Sequence, residues 1–332
     1  MKLIIQIPCF NEGDHLPATI AALPKAIKGL DQIEYLVIDD GSSDDTAKVA
    51  ASLGVRHIVQ HRTNRGLAAA FRSGLDRALA EGADIVVNTD ADNQYDGRDI
   101  AALVLPILKG KADIVVGDRG VAANAHFGPV KRRLQKLGSA VVGRLSRARI
   151  PDAVSGFRAL SREAAQRINI TSDFSYTTEM LIQAGRKRMA VASVPVRTNG
   201  AVRPSRLFRS IPHFIVNTAA TMLRAWAMYN PLRAFVSAGM IAFLIGLVPL
   251  LRFLWFYLAG DGDGHVQSLI IGGVLMILGV VAIMLGALAD LIGRNRNLME
   301  QTLERVRMLE EKVAGPREAP TPANRTKRSI VH

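Results

Sequence analysis

The N-terminal part of the chain alternates short apolar runs with stretches of helical periodicity, whereas two much longer apolar segments lie toward its other end. Leu3 to Ile7, Tyr35 to Ile38, His57 to Val59, Ile85 to Asn88 and Ile114 to Val116 read as strands, short and bounded by turn formers. Helical patterns fall between them, around residues 15–28, 45–53, 67–81 and 97–109. This alternation predicts an α/β domain whose mostly parallel sheet is covered on both faces. In such sheets ligands bind beyond the carboxyl ends of the strands.

Leu232 to Leu258 and Ser268 to Leu288 are each long enough to cross a hydrocarbon core of about 30 Å as a helix, and together they read as a transmembrane hairpin. Their connection, Ala259-Gly-Asp-Gly-Asp-Gly-His-Val-Gln267, is short and acidic, while Arg224 and Arg233 precede the first span and Arg294 and Arg296 follow the second. The positive-inside bias then puts the N-terminal domain and both termini in the cytoplasm, on a protein integral to the plasma or inner membrane. Arg252, the one charge within a span, lies near the outer end and is expected to snorkel to that interface; a buried functional charge is the alternative.

Between domain and hairpin, Ser205 to Tyr229 mixes Leu207, Phe208, Ile211, Phe214, Ile215, Leu223 and Trp226 with Arg206, Arg209 and Arg224, and Pro212 interrupts it. Amphipathic helices in the membrane interface are expected there. After the hairpin, Met299, Leu303, Val306, Leu309 and Val313 recur at three- and four-residue spacing, a short amphipathic helix suited to pairing with another subunit, a homo-oligomer among the options. From Gly315 onward Pro, Thr, Lys and Arg dominate, as in a disordered tail. The expected organisation is therefore an α/β domain over 1–204, interfacial helices over 205–230, a transmembrane hairpin over 231–292, a cytoplasmic helix over 293–314 and a tail over 315–332.

Composition agrees with this division, since 49% hydrophobic residues in 332 is too apolar for an ordinary soluble enzyme. The run Leu3 to Ile7 is too short for a signal peptide and ends at Pro8 in place of a small-residue cleavage site. Cys9 is the single cysteine, so no internal disulfide forms, as suits a reducing compartment. The formal charge of +13 is unevenly placed: Arg119 to Arg149 holds eight Lys or Arg and no acid, and the stretch between Glu179 and Asp261 holds ten and no acid. Such stretches suit anionic partners or an anionic membrane surface, the bland alternative being ordinary positive-inside bias. Nucleic acid is not an expected partner, because no nucleic-acid-binding module signature appears.

Candidate chemistry gathers at the strand ends. Pro8-Cys-Phe-Asn-Glu12 follows the first strand, Asp39-Asp-Gly-Ser-Ser-Asp-Asp-Thr46 the second, and Asp90-Ala-Asp-Asn-Gln94 the fourth. Two carboxylates spaced i, i+2 just past a strand can present oxygens to Mg²⁺ or Mn²⁺, hard cations that also take phosphate oxygens. Asp-x-Asp in a turn is also common as a solvated loop, so the motif alone leaves both readings open.

Taken together, Pro8-Cys-Phe-Asn-Glu12, Val37-Ile-Asp-Asp-Gly-Ser-Ser-Asp-Asp-Thr46, Asn64-Arg-Gly-Leu-Ala-Ala-Ala-Phe71 and Thr89-Asp-Ala-Asp-Asn-Gln94 resemble the family 2 inverting glycosyltransferases of the GT-A fold. Ser155-Gly-Phe-Arg-Ala-Leu-Ser-Arg162, Phe174-Ser-Tyr-Thr-Thr-Glu179 and the paired apolar spans narrow the resemblance to the polyprenyl-phosphate glycosyltransferases. It implies a Rossmann-like nucleotide-sugar-binding domain in which Pro8, Phe10, Asn11, Glu12 and Asp39 line the nucleotide pocket, with Asp40 nearby. Asp90 and Asp92 become the metal-and-diphosphate pair, with Gln94 a further metal ligand. Gly66 stands where the family has a glycine before a helix, either for ligand contact or because the helix start needs a small residue.

The resemblance also implies a polyprenyl-phosphate acceptor, and such a phosphate, with a second pKa of about 6, is already nucleophilic at neutral pH. No strong base is then required, only cations for two converging anions. By the same resemblance Arg119 and one of Arg132 and Arg133 are candidate phosphate clamps, and Ser205-Arg206-Leu207 resembles the family's Ser-Lys-Leu segment. Arg158 joins the acceptor site only by analogy and otherwise pairs with Asp152. Glu179 is a candidate catalytic carboxylate, orienting the sugar or a basic side chain; the alternatives are a base for a hydroxyl acceptor and a mere helix N-terminal charge. Transfer to a hydroxyl of a membrane lipid or glycan, and a noncatalytic nucleotide-sugar-binding scaffold, remain as competing functions.

Overall fold

In the computed structural model, residues 1–120, 143, 150–170, 176–199, 230–260 and 265–314 are described. Arg132, Arg133, Ser205 and Arg206 lie outside these residues, as do the interfacial stretch 205–229, the acidic part of the hairpin connection at 261–264 and the tail from 315.

The apolar runs do form strands. β1 (Lys2–Cys9), β2 (Gln32–Asp39), β3 (His57–Gln60), β4 (Ile85–Asn88) and β5 (Ile114–Asp118) alternate with α1 (Leu16–Ala22), α2 (Thr46–Ser52), α3 (Leu67–Ala80) and α4 (Ile100–Leu108). The first helix ends well short of residue 28, at the turn leading to Pro24. Two further strands, β6 (Arg158–Ser161) and β7 (Val191–Pro195), and two helices, α5 (Arg162–Arg167) and α6 (Tyr176–Arg186), follow among the described residues of the domain.

The seven strands make one sheet in the order β3-β2-β1-β4-β6-β5-β7. Only β6 runs antiparallel to its neighbours, wedged between β4 and β5. Side chains of β1 alternate between two cores: Leu3, Ile5 and Ile7 join Leu16, Leu103 and Val104, while Ile4 joins Phe71, Leu75 and Met180 on the other face. The sheet is thus covered on both sides, and the loops after β1, β2 and β4 leave from the same edge.

Two helices follow the domain, α7 (Pro231–Leu258) and α8 (Val266–Ala314). Both are long and apolar enough to cross a membrane, over Pro231–Leu258 and Val266–Asn295. Large side chains on them stand open, Trp255 at 75% and Leu258 at 77% exposure, which suits lipid rather than water. The helix of 293–314 is not separated from the second span but continues it, with Met299, Val306 and Leu309 exposed along it. Near the hairpin connection Arg252 lies over the Phe256 ring, which stacks on His265.

The hairpin closes on glycines at seven-residue intervals, a pattern not anticipated from hydropathy. A Cβ at Gly239 would sit 2.5 Å from Gly279 O, and one at Gly246 would sit 2.8 Å from Gly272 O, so the two backbones touch. Gly279→Leu is therefore expected to separate α7 from α8 and destabilise the detergent-solubilised protein by about 1–3 kcal/mol. Gly273→Leu, where nothing lies within 4 Å of the added Cβ, is expected to leave the melting temperature unchanged. Thermal unfolding of the two variants side by side measures the difference.

Candidate active site

The loops beyond β1, β2 and β4 are built by short polar side chains bonding to nearby backbone. Asn11 adopts the left-handed conformation (φ 54°), its N–H donating to Ser42 Oγ and its Oδ1 accepting from Ser43 N. Thr46 Oγ1 accepts from Glu12 N at 3.0 Å and bonds Asp44, whose other oxygen accepts from Gly13 N. The loop after β1 is therefore stapled to the loop after β2. Phe10 is left 39% exposed at the rim, whereas Pro8 and Glu12 are buried.

The acids after β2 divide in role. Asp39 Oδ1 accepts from Ser42 N and Oδ2 from Gln60 Nε2, at the strand edge. Asp40 faces the other way: His61 Nδ1 lies 2.6 Å from its Oδ1, which also accepts from Arg65 N, and its Oδ2 accepts from Gly66 N at 2.8 Å. His61 Nε2 reaches Ser73 Oγ, tying the middle of α3 to the same carboxylate. Asp40 thus organises the loop into α3. Gly66 has φ 86° with nothing within 4 Å of an added Cβ, so glycine is needed for its backbone angle and not for room.

Asp90 and Asp92 flank the turn after β4. Asp92 Oδ1 accepts from Gln94 N, and Asn93 between them is left-handed (φ 54°). Burial, then the charge of Asp92, pushes the Asp90 carboxyl up to about 6, against a smaller pull downward from Arg119. Gly156 lies against it: a Cβ there would stand 3.1 Å from Asp90 Oδ1 and 3.2 Å from the Tyr176 hydroxyl. Arg119, at the end of β5, donates from Nε (2.6 Å) and Nη2 (3.0 Å) to the two oxygens of fully buried Asp152. Burial alone would weaken that guanidinium, but the bonds to Asp152 and the fields of Tyr95, Asp152 and Asp90 keep its pKa above the ordinary arginine value.

Beneath these groups lies a polar belt absent from the sequence expectations. Gln6, Asn88 and Arg158 stand in register across β1, β4 and β6, all fully buried. Gln6 Nε2 donates to Asn88 Oδ1 (2.9 Å), and Asn88 Nδ2 donates to Gly156 O (2.9 Å) and the Tyr176 oxygen (3.2 Å). Tyr176 stacks on Phe71, and Tyr95 on Phe157, with Gly156 N donating to the Tyr95 oxygen. Burial, with Asp90's charge behind it, pushes the Tyr95 phenol up to about 12. Polar residues interrupting the apolar runs of β1 and β4 were the available signal; Tyr176 stood in the Phe174–Glu179 motif without a role assigned to it, and Tyr95 carried no signal.

The acceptor-phosphate role expected of Arg158 does not suit its position. Its side chain is fully buried and donates to Ser155 O (2.7 Å), Thr177 O (2.6 Å) and Ala153 O (2.7 Å), leaving no face for a ligand. Nor does it bond Asp152, whose carboxylate is bidentate with Arg119 instead. Burial lowers the Arg158 guanidinium to about 10, still charged at neutral pH. Glu179, in the first turn of α6, is also buried and accepts from Gln183 Nε2 at 3.2 Å.

Two carboxylates beside one another, one partly buried with a raised pKa, form a donor set suited to a hard divalent cation, and Gln94 follows them in the same turn. Among the described residues no group of three His, Cys, Asp or Glu side chains converges to cage a metal. Such a pair leaves coordination positions for phosphate oxygens, as Mg²⁺ sites commonly do.

A mostly parallel α/β sheet with acids gathered at its carboxyl edge is the arrangement of the GT-A fold. The chain matches the glycosyl transferase family 2 profile over residues 4–168. An uncharacterised glycosyltransferase of Mycobacterium tuberculosis is 34% identical over 213 residues, spanning 62% of this chain and 90% of its own. The chain therefore belongs to glycosyl transferase family 2 and is a glycosyltransferase. A polyprenol monophosphomannose synthase of Mycolicibacterium smegmatis is 29% identical over 206 residues, 59% of this chain and 76% of its own. Among solved structures, glucosyl-3-phosphoglycerate synthase of M. tuberculosis, determined with Mn²⁺, UDP and phosphoglyceric acid, shares the fold with a TM-score of 0.51 at 21% identity, covering 67% of this chain and 78% of its own.

Replacing Arg158 separates the two roles considered for it. With three buried carbonyls left without their donor, Arg158→Ala is expected to destabilise the fold by about 3–5 kcal/mol, lowering the melting temperature and activity together. A stable variant with only a raised KM for acceptor would instead make Arg158 a ligand contact.

Proposed function

We propose that this enzyme transfers a sugar from a nucleotide-sugar to a polyprenyl phosphate at the cytoplasmic face of a membrane, by a metal-dependent single displacement with inversion. The observation that carries it is the pairing of Asp90 and Asp92 beside Arg119, on a domain joined through acid-free basic sequence to two membrane-length helices. Asp90 and Asp92, with Gln94, would hold Mg²⁺ or Mn²⁺. When bound, the cation supplies positive charge to the diphosphate leaving group.

The chain's own residues do the rest. Pro8, Phe10, Asn11, Glu12 and Asp39 line the nucleotide pocket on the stapled loops after β1 and β2, and Asp40 and Gly66 shape its far wall. Arg119, held by Asp152 and in the field of Asp90, offers its remaining donors to the approaching acceptor. Arg132 or Arg133, with Ser205 and Arg206, would meet the same phosphate. An acceptor phosphate oxygen forms a bond to the anomeric carbon as that carbon's bond to the nucleoside diphosphate breaks, the electron pair leaving on the diphosphate. No proton need be abstracted, which fits a Glu179 that is buried and engaged by Gln183. The hairpin keeps the lipid end of the acceptor beside this edge of the sheet.

Purified protein in lipid, offered a panel of nucleotide-sugars with and without undecaprenyl or dolichyl phosphate, is expected to release nucleoside diphosphate only with acceptor and divalent metal both present. Turnover in excess chelator would sink the mechanism. Asp92→Asn is expected to lower kcat at least about 100-fold, as loss of electrostatic stabilisation of a leaving charge does. Glu179→Gln is expected to cost far less; an equal loss would favour a hydroxyl acceptor with Glu179 as its base.

A further inference from the structure

The chain leaving β7 crosses directly over the turn that carries Asp92. Arg197 pairs with Asp99 through N, Nε and Nη2, Thr198 bridges to Tyr95, and Asn199 reaches the turn itself. Asn199 N donates to Gln94 O (2.8 Å) and Asn199 Nδ2 donates to Asn93 O (2.8 Å). On the turn's inner side, Gln94 N donates to Asp92 Oδ1 (3.1 Å). Asn93 and Gln94 are therefore gripped between the Asp92 carboxylate and Asn199.

Granted the metal role proposed for Asp90 and Asp92, we propose that Asn199 is a positioning residue that fixes the aim of Asp92 and Gln94. The left-handed backbone of Asn93 is a conformation that an Asn tolerates but does not hold unaided. Arg197 binds Asp99 beyond the turn, and the bonds from 197–199 that flank Tyr95 are made by backbone and would form with any residue; on the turn itself the bond from Asn199 Nδ2 to Asn93 O is specific to this side chain. Asn199 is exposed, so its identity is not set by core packing. Without it the Asn93 carbonyl turns to water, the turn relaxes, and the Asp92 oxygen bonded to Gln94 N loses its fixed direction. The same residue immediately precedes residues 200–229, which include Ser205 and Arg206, so it joins the donor-side turn to the stretch proposed to meet the acceptor phosphate.

The test is Mn²⁺ binding by the full chain in detergent, read from the electron paramagnetic resonance signal of free Mn²⁺, for wild type, Asn199→Ala, Asn199→Asp and Asp92→Asn. Asn199→Ala is expected to weaken Mn²⁺ about tenfold, as removal of an outer support of a metal site does. Asn199→Asp, which turns an acceptor toward the Asn93 carbonyl, is expected to weaken it at least as much. The Mn²⁺-induced rise in melting temperature, taken against each variant's own metal-free value, is expected to shrink in parallel, and this holds even if a variant is less stable. If Asp92→Asn weakens Mn²⁺ while both Asn199 variants bind like wild type, the positioning role is overturned and the metal role stands. If wild type binds no Mn²⁺, or Asp92→Asn binds it unchanged, the metal role fails and takes this one with it.

Discussion

Two like charges at the end of β4 set the terms for everything around them. Burial, with the charge of neighbouring Asp92 behind it, raises Asp90 to about 6, a cost the fold accepts at the edge of its central strand. The surroundings make that tolerable without cancelling it. Arg119 is near enough to lower Asp90, yet two of its nitrogens are committed to Asp152, so its charge is shared. The glycine at 156 keeps a methyl group from the Asp90 oxygens, and its own N–H and C=O are held by Tyr95 and Asn88. The polar belt under the sheet edge is best understood as the floor that fixes this arrangement.

That dependence explains why β6 runs against the rest of the sheet. The Ser155-Gly156-Phe157 turn must bring Gly156 beneath Asp90 and then enter the sheet next to β4. Arg158, the first residue of β6, gathers the carbonyls of Ala153, Ser155 and Thr177 around one buried cation, joining this turn to the start of α6. A neutral side chain of that size would leave three carbonyls without donors. The charge is retained for its hydrogen bonds to the backbone, and its position next to Asn88 in the sheet register is what places those carbonyls.

How far this was legible in the sequence depends on whether a feature is periodic. β1 to β5 and the two membrane-length helices repeat a simple pattern, and they were found within a few residues. β6 and β7 are four and five residues long, and the first begins with an arginine, which no periodicity argument assigns to a buried strand. The acids at the strand ends were visible because turn chemistry and motif spacing mark them. Their division of labour was not: Asp39 and Asp40 are adjacent and alike in sequence, and only their opposite directions make one an edge residue and the other the anchor of the loop to Gly66. Pairing was likewise hidden, so that Asp152 was matched to Arg158, near in sequence, when Arg119 across the sheet holds it in both oxygens.

The balance of charge bears on how the acceptor is met. Glu12 and Asp92 both act on Asp90, and Asp152 lies just behind Arg119, so four acids face two arginines, one of them wholly occupied by carbonyls. Among the described residues the acids therefore outnumber the free guanidinium charge, a balance that disfavours a phosphate dianion. On the proposed reading, a cation held by these acids would reverse the local sign, and the lysines and arginines of the acid-free stretches would add to it. The two anionic substrates would thus be distinguished, on that reading, by the sign of what meets them, the diphosphate through a cation on carboxylates and the lipid phosphate through arginine directly.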